Sequence, residues 1–130
     1  VAAATLIATL QAGYTDFHYL REIWKTTTEK DALLGVSMTG IASNRVFELS
    51  LHAAAEIAKE TNALIAHRIG INPAARVTCV KPAGTTSCVL GTSSGIHAWH
   101  DKYYIRRIRV GKNEAIYHYL IDNYPQLIEA

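Results

Sequence analysis

Cysteine is scarce in this chain: there are two, Cys79 and Cys88, and they are not spaced as C-x-x-C. So few thiols exclude a disulfide-stapled secreted scaffold, and reduced cysteines in a cytoplasmic protein are the expectation. Long apolar runs are also missing. None reaches the roughly 18 residues a membrane span needs, so no membrane partner is expected. The apolar start, Val1–Leu10, has no basic leader and runs straight into Gln11, which reads as a helix rather than a signal peptide. Charge of one sign is in short supply: 13 basic residues face 11 acidic ones, for a net charge of +2. That excess is too mild for a general nucleic-acid role. Neither a G-x-x-x-x-G-K-[ST] loop nor a G-x-G-x-x-G turn occurs, which removes the two commonest nucleotide fingerprints. An initiator methionine is lacking too; a processed or trimmed chain is the plain reading of that, and an excerpt from a longer protein the sharper one.

What is present suits a folded domain: 49% of residues are hydrophobic and 18% charged. The Ala- and Leu-rich stretch Val1–Ala12 predicts a helix stopped at Gly13. Tyr14–Leu20 reads as an aromatic loop, and Trp24–Lys30, with three threonines among charges, has no clear type. Ala32–Ile41 reads as a buried strand, with Gly35 and Gly40 suggesting close approach by another backbone. Asn44 is a fitting N-cap for one long helix over 45–69, ended by Gly70, with Leu49, Ala53, Ile57, Leu64 and Ile65 as its apolar stripe. Arg76–Lys81 reads as a second strand ended by Pro82, and Tyr103–Val110 as a third. Asn113 would cap a last helix running to Tyr124, before Pro125. A strand, a crossover helix and another strand make the parallel α/β pattern. Two or three such strands are a poor independent core, which again suggests part of something larger.

The segment richest in chemistry is Val77-Thr-Cys-Val-Lys-Pro-Ala-Gly-Thr-Thr-Ser-Cys-Val-Leu90. An apolar strand meets Pro82, then a small glycine, then three hydroxyl residues. This is the layout of a strand-to-helix anion site, because the first N–H groups of a helix lack internal partners and its dipole favours negative charge there. Gly84 would let a phosphate approach the main chain. Thr85, Thr86 and Ser87 carry hydroxyl donors, and Lys81 adds a charge. An ordinary helix cap after a turn accounts for the same residues, and composition leaves both readings open.

Read as a string, Lys81-Pro-Ala-Gly-Thr-Thr-Ser87 resembles the late phosphate-binding loop of ribonucleotide reductases. Ser93-Ser-Gly-Ile-His97 is similar to the family segment just beyond it. His97, His100, Tyr104, Ile105, Arg107, Ile108 and Arg109 resemble the stretch that follows in the triphosphate-reducing, adenosylcobalamin-dependent branch. Upstream, Leu10-Gln-Ala-Gly-Tyr-Thr-Asp-Phe17 and Leu34-Gly-Val-Ser-Met-Thr-Gly-Ile-Ala42 are similar as well. The resemblance implies that residues 1–130 are a late, incomplete part of a ten-stranded α/β barrel with parallel strands and crossover helices. It implies an enzyme that reduces the ribose 2′-hydroxyl of a ribonucleoside tri- or diphosphate by a protein radical. Adenosylcobalamin is the implied cofactor, and the rest of the reductase chain and a thioredoxin-like reductant the implied partners. Pro82, Ala83, Gly84, Thr85, Thr86 and Ser87 become the substrate phosphate loop, with Lys81 and His97 as neighbouring contacts. The radical and redox cysteines of the family belong outside this segment, so no catalytic residue is expected within it, and alone it should be inactive. A reading from a different class is a small non-catalytic phosphate-binding module.

Other candidates read as structure. Cys79 and Cys88 are expected as buried thiols. Cys79, Cys88, His97 and His100 fit no familiar zinc spacing, so no metal is expected. Arg106, Arg107, Arg109 and Lys112 suggest a solvated or salt-bridged strand rather than a nucleic-acid face. Tyr14, Phe17 and Trp24 are expected in a core or at a barrel rim. His52, His67 and His118 are expected on helix surfaces.

Overall fold

The computed structural model describes residues 1–99, 101 and 103–129. The chain divides into two compact units, Val1–Trp99 and His100–Ala130. In the first, helix α1 spans Ala2–Ala12, α2 Glu22–Asp31, α3 Leu51–Ile69 and α4 Gly84–Val89, with a 3-10 turn at Arg45–Glu48. In the second, α5 spans Ala115–Asn123 and is followed by a 3-10 turn at Pro125–Leu127. Among the described residues no helix is long and apolar enough to cross a membrane.

Helix α1 forms where its alanines predict, and Gly13 is its C-cap. Helix α2 covers the stretch whose type the sequence left open. Thr26 there turns its hydroxyl back onto the carbonyls of Glu22 and Ile23, which keeps a polar side chain from competing with the helix. Glu22 in the first turn and Lys30 in the last suit the helix dipole.

The single helix expected over 45–69 is two elements. Asn44 has φ 62 and ψ −1, a left-handed conformation, whereas an N-cap needs extended backbone. The cap is Ser50, whose side chain accepts from the Ala53 N–H at 3.2 Å. Gly70, at φ 74, ends α3, a left-handed position that glycine takes without steric cost. Near the start of α3, Lys59 lies 2.7 Å from Glu56 and holds its carboxyl below the ordinary range, mainly through their hydrogen bond.

The packed face of α3 also differs from the expected stripe. Ala58, Asn62 and Ala66 are buried, whereas Ile57 is 44% and Leu64 51% exposed. At 100° per residue the contact face lies about 150° round the helix from Ile57 and Leu64. Its partner is α1, which buries Thr5 and Thr9 completely. Small residues let the two helices approach closely, and their polar groups are paired. Thr9 Oγ1 donates to Thr5 O at 2.8 Å, and Thr5 Oγ1 to Val1 O at 3.1 Å. Asn62 Nδ2 donates to Thr9 Oγ1 at 3.1 Å, and Asn62 Oδ1 accepts from the Ala74 N–H at 2.8 Å.

No strand, sheet or barrel is present among the described residues, which overturns the expected α/β barrel fragment. Segments 32–41 and 76–81 do run side by side, but only through one parallel bridge between Val36 and Thr78. Three backbone bonds hold them: Leu34 N–H to Arg76 O, Val36 N–H to Val77 O and Cys79 N–H to Val36 O, at 3.0, 3.0 and 3.1 Å. The physical reason is that a strand needs neighbours on its edges, and two short segments alone sustain no ladder. Left-handed backbone at Ala32 and Gly40 also limits the extended run. Tyr103–Val110 forms no strand either. Glu114, rather than Asn113, caps α5.

The pairing within the α1–α3 contact predicts a contrast. Asn62→Ala leaves Thr9 Oγ1 and the Ala74 N–H without their partner, and should lower unfolding free energy by about 2–3 kcal/mol. Leu64→Ala, on the exposed face, should change it by less than about 0.5 kcal/mol. Urea unfolding of the two variants checks this, and equal losses would reject the assignment of the packed face.

Candidate functional site

The hydroxyl-rich loop lies where the bridged segment 76–80 ends. Lys81 and Pro82 are exposed, and Ala83 is half-buried. Ala83 turns the chain with φ 51 and ψ 46 and caps α4 without a side-chain bond. A left-handed L-residue costs about 1–2 kcal/mol, so the turn is enforced by its surroundings. Gly84, where the left-handed or close-approach role was expected, is instead the first residue of α4. It has no positive φ, and a Cβ there would meet nothing within 4 Å.

The junction therefore comes earlier than the sequence suggests. Gly84, Thr85, Thr86 and Ser87 form the first turn of a short helix, and only Pro82 and Ala83 remain as loop. Thr85 and Thr86 are exposed. Ser87 is buried, and its hydroxyl donates to Gly84 O at 2.8 Å. That proton is committed inside the helix, so Ser87 is a structural member of the set, unlike the two threonines.

A third segment fixes this turn from behind. The Gly95 N–H donates to Pro82 O at 3.1 Å and the Ile96 N–H to Lys81 O at 3.0 Å. Ser94 Oγ also donates to Pro82 O and lies 3.1 Å from His97 Nδ1. A Cβ on Gly95 would stand 2.0 Å from Lys81 O and 3.0 Å from Met38 O. The close backbone approach expected at Gly35 and Gly40 is thus found at Gly95. At Gly35 and Gly40 the nearest atoms are the side chains of Cys79 and Thr92. The same segment is tied on its other side. The Gly40 N–H donates to Ser93 O at 2.8 Å, and buried Ser93 Oγ accepts from the Ser43 N–H at 3.2 Å.

The structure brings Lys81–Ser87 and His97 into one neighbourhood through Ser94. Sequence reasoning did not single out Ser94, because its role depends on a contact with Pro82 twelve positions away. A second feature it missed is an open cleft of about 500 Å³ lined by Gly13, Tyr14, Thr15, Asp16, Lys25 and Glu29. Thr15 Oγ1 donates to Glu29 Oε1 across it at 2.9 Å. Tyr14 is 78% and Trp24 55% exposed, so neither is a core aromatic. Cys79 is half-buried and Cys88 exposed, and neither is in a disulfide, which corrects the buried reading for Cys88. No group of three metal-ligating side chains occurs among the described residues. His100 lies outside them. In the second unit, Arg107 Nε meets Glu129 Oε2 at 3.0 Å on the surface.

Comparison with known proteins settles the lineage. The adenosylcobalamin-dependent ribonucleoside-triphosphate reductase of Euglena gracilis is 31% identical over 107 residues, which cover 75% of this chain and 15% of the relative. The enzyme of that name from Lactobacillus helveticus is 28% identical over 145 aligned positions, covering 88% of this chain and 20% of the relative. The chain belongs to this reductase family. A probable member from Dictyostelium discoideum is 29% identical over 82% of the chain. The chain thus spans about one seventh to one fifth of the length of these reductases. No family model and no solved structure matches it.

The geometry of the reductase loop gives a steric test. Gly95→Ala should drive a methyl into the Lys81 carbonyl and cost about 3 kcal/mol. Ala83→Gly should relieve the left-handed turn and, after the entropy of the added glycine, change stability by no more than about 1 kcal/mol in either direction. Thermal melting of both variants checks this, and a Gly95→Ala protein as stable as the parent would refute the clasp.

Proposed function

We propose that this chain is the substrate phosphate-binding segment of a ribonucleotide reductase, a late part of its catalytic domain. The intact enzyme would make deoxyribonucleotides by radical reduction of the ribose 2′-hydroxyl of a ribonucleoside triphosphate. The reading is supported by the reductase similarity over most of the chain. It is carried by one observation at the loop: the glycine at position 84 has no steric reason of its own. Its φ is unexceptional for any residue, and the space over it is empty. Glycine also brings no helix-forming advantage over alanine, so the helix itself does not call for it. Close approach of a ligand supplies the missing reason.

In this reading the N–H groups that open α4 face the phosphate oxygens, and the hydroxyls of Thr85 and Thr86 donate to them. Lys81 adds a positive charge. Pro82 and Ala83 set the turn, and Ser87 closes the first helical turn from inside. The work of these residues is to bind and orient: phosphate anchoring fixes the ribose at a set distance from the reacting centre. Protons stay where they are in this segment.

The cleft beside α2 does not fit the cofactor in the relatives' names. The cleft of about 500 Å³ between the end of α1 and α2 is the size for a drug-sized molecule, not for a corrin. Adenosylcobalamin, which supplies the radical when bound, belongs in this proposal to the remainder of the reductase, as does the contact with a thioredoxin-like reductant.

The test uses the intact reductase. Gly84→Ala should leave the melting temperature unchanged or raised, yet weaken nucleotide binding at least several-fold. Thr85→Ala with Thr86→Ala should weaken it by roughly thirty- to a thousandfold, from two hydrogen bonds to a charged group of about 1.5–3 kcal/mol each that add incompletely. Equilibrium titration with a ribonucleoside triphosphate and KM under turnover are the readouts. Well-folded variants that bind and turn over as the parent does would show that the phosphates are held elsewhere.

A further inference from the structure

Ser94 has one proton and two neighbours. The carbonyl of Pro82 can only accept, so the Ser94 hydroxyl donates to it. The Ser94 oxygen is then left with lone pairs alone, and at 3.1 Å from His97 Nδ1 it must receive a proton from the ring. That contact then calls for a hydrogen on Nδ1. In the neutral imidazole the other nitrogen, Nε2, is then an acceptor.

We infer that Ser94 locks His97 in the Nδ1–H tautomer, so that Nε2 is presented beside the 81–87 loop as a hydrogen-bond acceptor. The chemistry of that acceptor separates it from the rest of the loop. Lys81, Thr85, Thr86 and the helix N–H groups are donors, which suit phosphate oxygens. While the ring is neutral, the lone pair on Nε2 repels a phosphate oxygen and fits a donor, such as a sugar hydroxyl or a base N–H. His97 is thus assigned to the nucleoside part of the ligand and not to its phosphates. Ser94 is a positioning residue that acts through His97. The same hydroxyl ties the ring to the Pro82 carbonyl, so the acceptor is fixed relative to the turn that begins the phosphate loop. The ligand half of this inference rests on the phosphate reading above; the tautomer half does not.

Two measurements separate the halves. Long-range proton–nitrogen NMR on the intact chain, labelled at histidine and held at mildly alkaline pH, reports which ring nitrogen of His97 is protonated. The parent and Ser94→Thr should show Nδ1–H, whereas Ser94→Ala should move toward Nε2–H. A parent ring protonated on Nε2, or a Ser94→Ala ring unchanged at Nδ1, overturns the lock. In the second measurement, His97→Ala in the intact reductase is titrated with a ribonucleoside triphosphate and with inorganic triphosphate. The nucleotide should lose about two- to tenfold in affinity, the range of one neutral hydrogen bond, while inorganic triphosphate binds unchanged. Equal losses for both would make His97 a phosphate contact and overturn its assignment to the nucleoside. If neither ligand binds the parent, the phosphate reading and the ligand half fall together, and the tautomer result stands on its own.

Discussion

The carboxamide of Asn62 sits where three parts of the first unit meet. It donates to Thr9 on α1, belongs to α3, and accepts from the backbone of Ala74 in the turn beyond it. A buried amide is indifferent to nothing: each hydrogen bond it fails to make costs a desolvated polar group. Helix α1 therefore cannot slide along α3 without stranding Thr9, and the Ala74 turn cannot lift without stranding Asn62. Two residues past Ala74 begins the segment that bonds to Leu34 and Val36 and runs on to Lys81. The position of the candidate site is thus inherited, through a short stretch of backbone, from a polar contact between helices. The apolar residues do less of this than their number suggests.

The sequence made some of this legible and hid the rest for identifiable reasons. Helix α1 was readable because alanine propensity and a terminal glycine act locally, and the same holds for the stop at Gly70. The family was readable because the loop at Lys81–Ser87 and its flanks form an ordered string. The packed face of α3 was not, because the choice between the Ile57–Leu64 stripe and Ala58–Asn62–Ala66 is made by the partner helix, whose buried residues are threonines. Asn44 and Ser50 are both good cap types, and only backbone conformation separates them. The expected strands failed because an apolar run does not show how many neighbours it will have, and one short partner sustains no ladder. Ser87 looked like one of three equivalent hydroxyls until burial showed where its proton goes.

Large side chains remain uncovered on both main helices. Leu6, Ile7 and Leu10 on α1 and Ile57, Leu64 and Ile69 on α3 are all exposed. The chain spans 15% and 20% of the length of the Euglena and Lactobacillus reductases. On the proposed reading, these side chains are the surfaces that the rest of the reductase covers. Burying a Leu or Ile side chain contributes about 1.5–3 kcal/mol, so the segment would gain its hydrophobic stabilisation mainly from residues other than its own.

The clasp behind the loop has a kinetic meaning as well as a steric one. The backbone of Lys81 and Pro82 is held by the N–H groups of Gly95 and Ile96 and by the Ser94 hydroxyl, and segment 93–97 is itself tied to Gly40 and Ser43. A free loop of this composition would sample many shapes, and a ligand would have to select one of them, slowing capture and weakening it. Here those hydrogen bonds hold the turn without help from a ligand. On the proposed reading, encounter at such a surface would be set by diffusion and charge rather than by the folding of the loop.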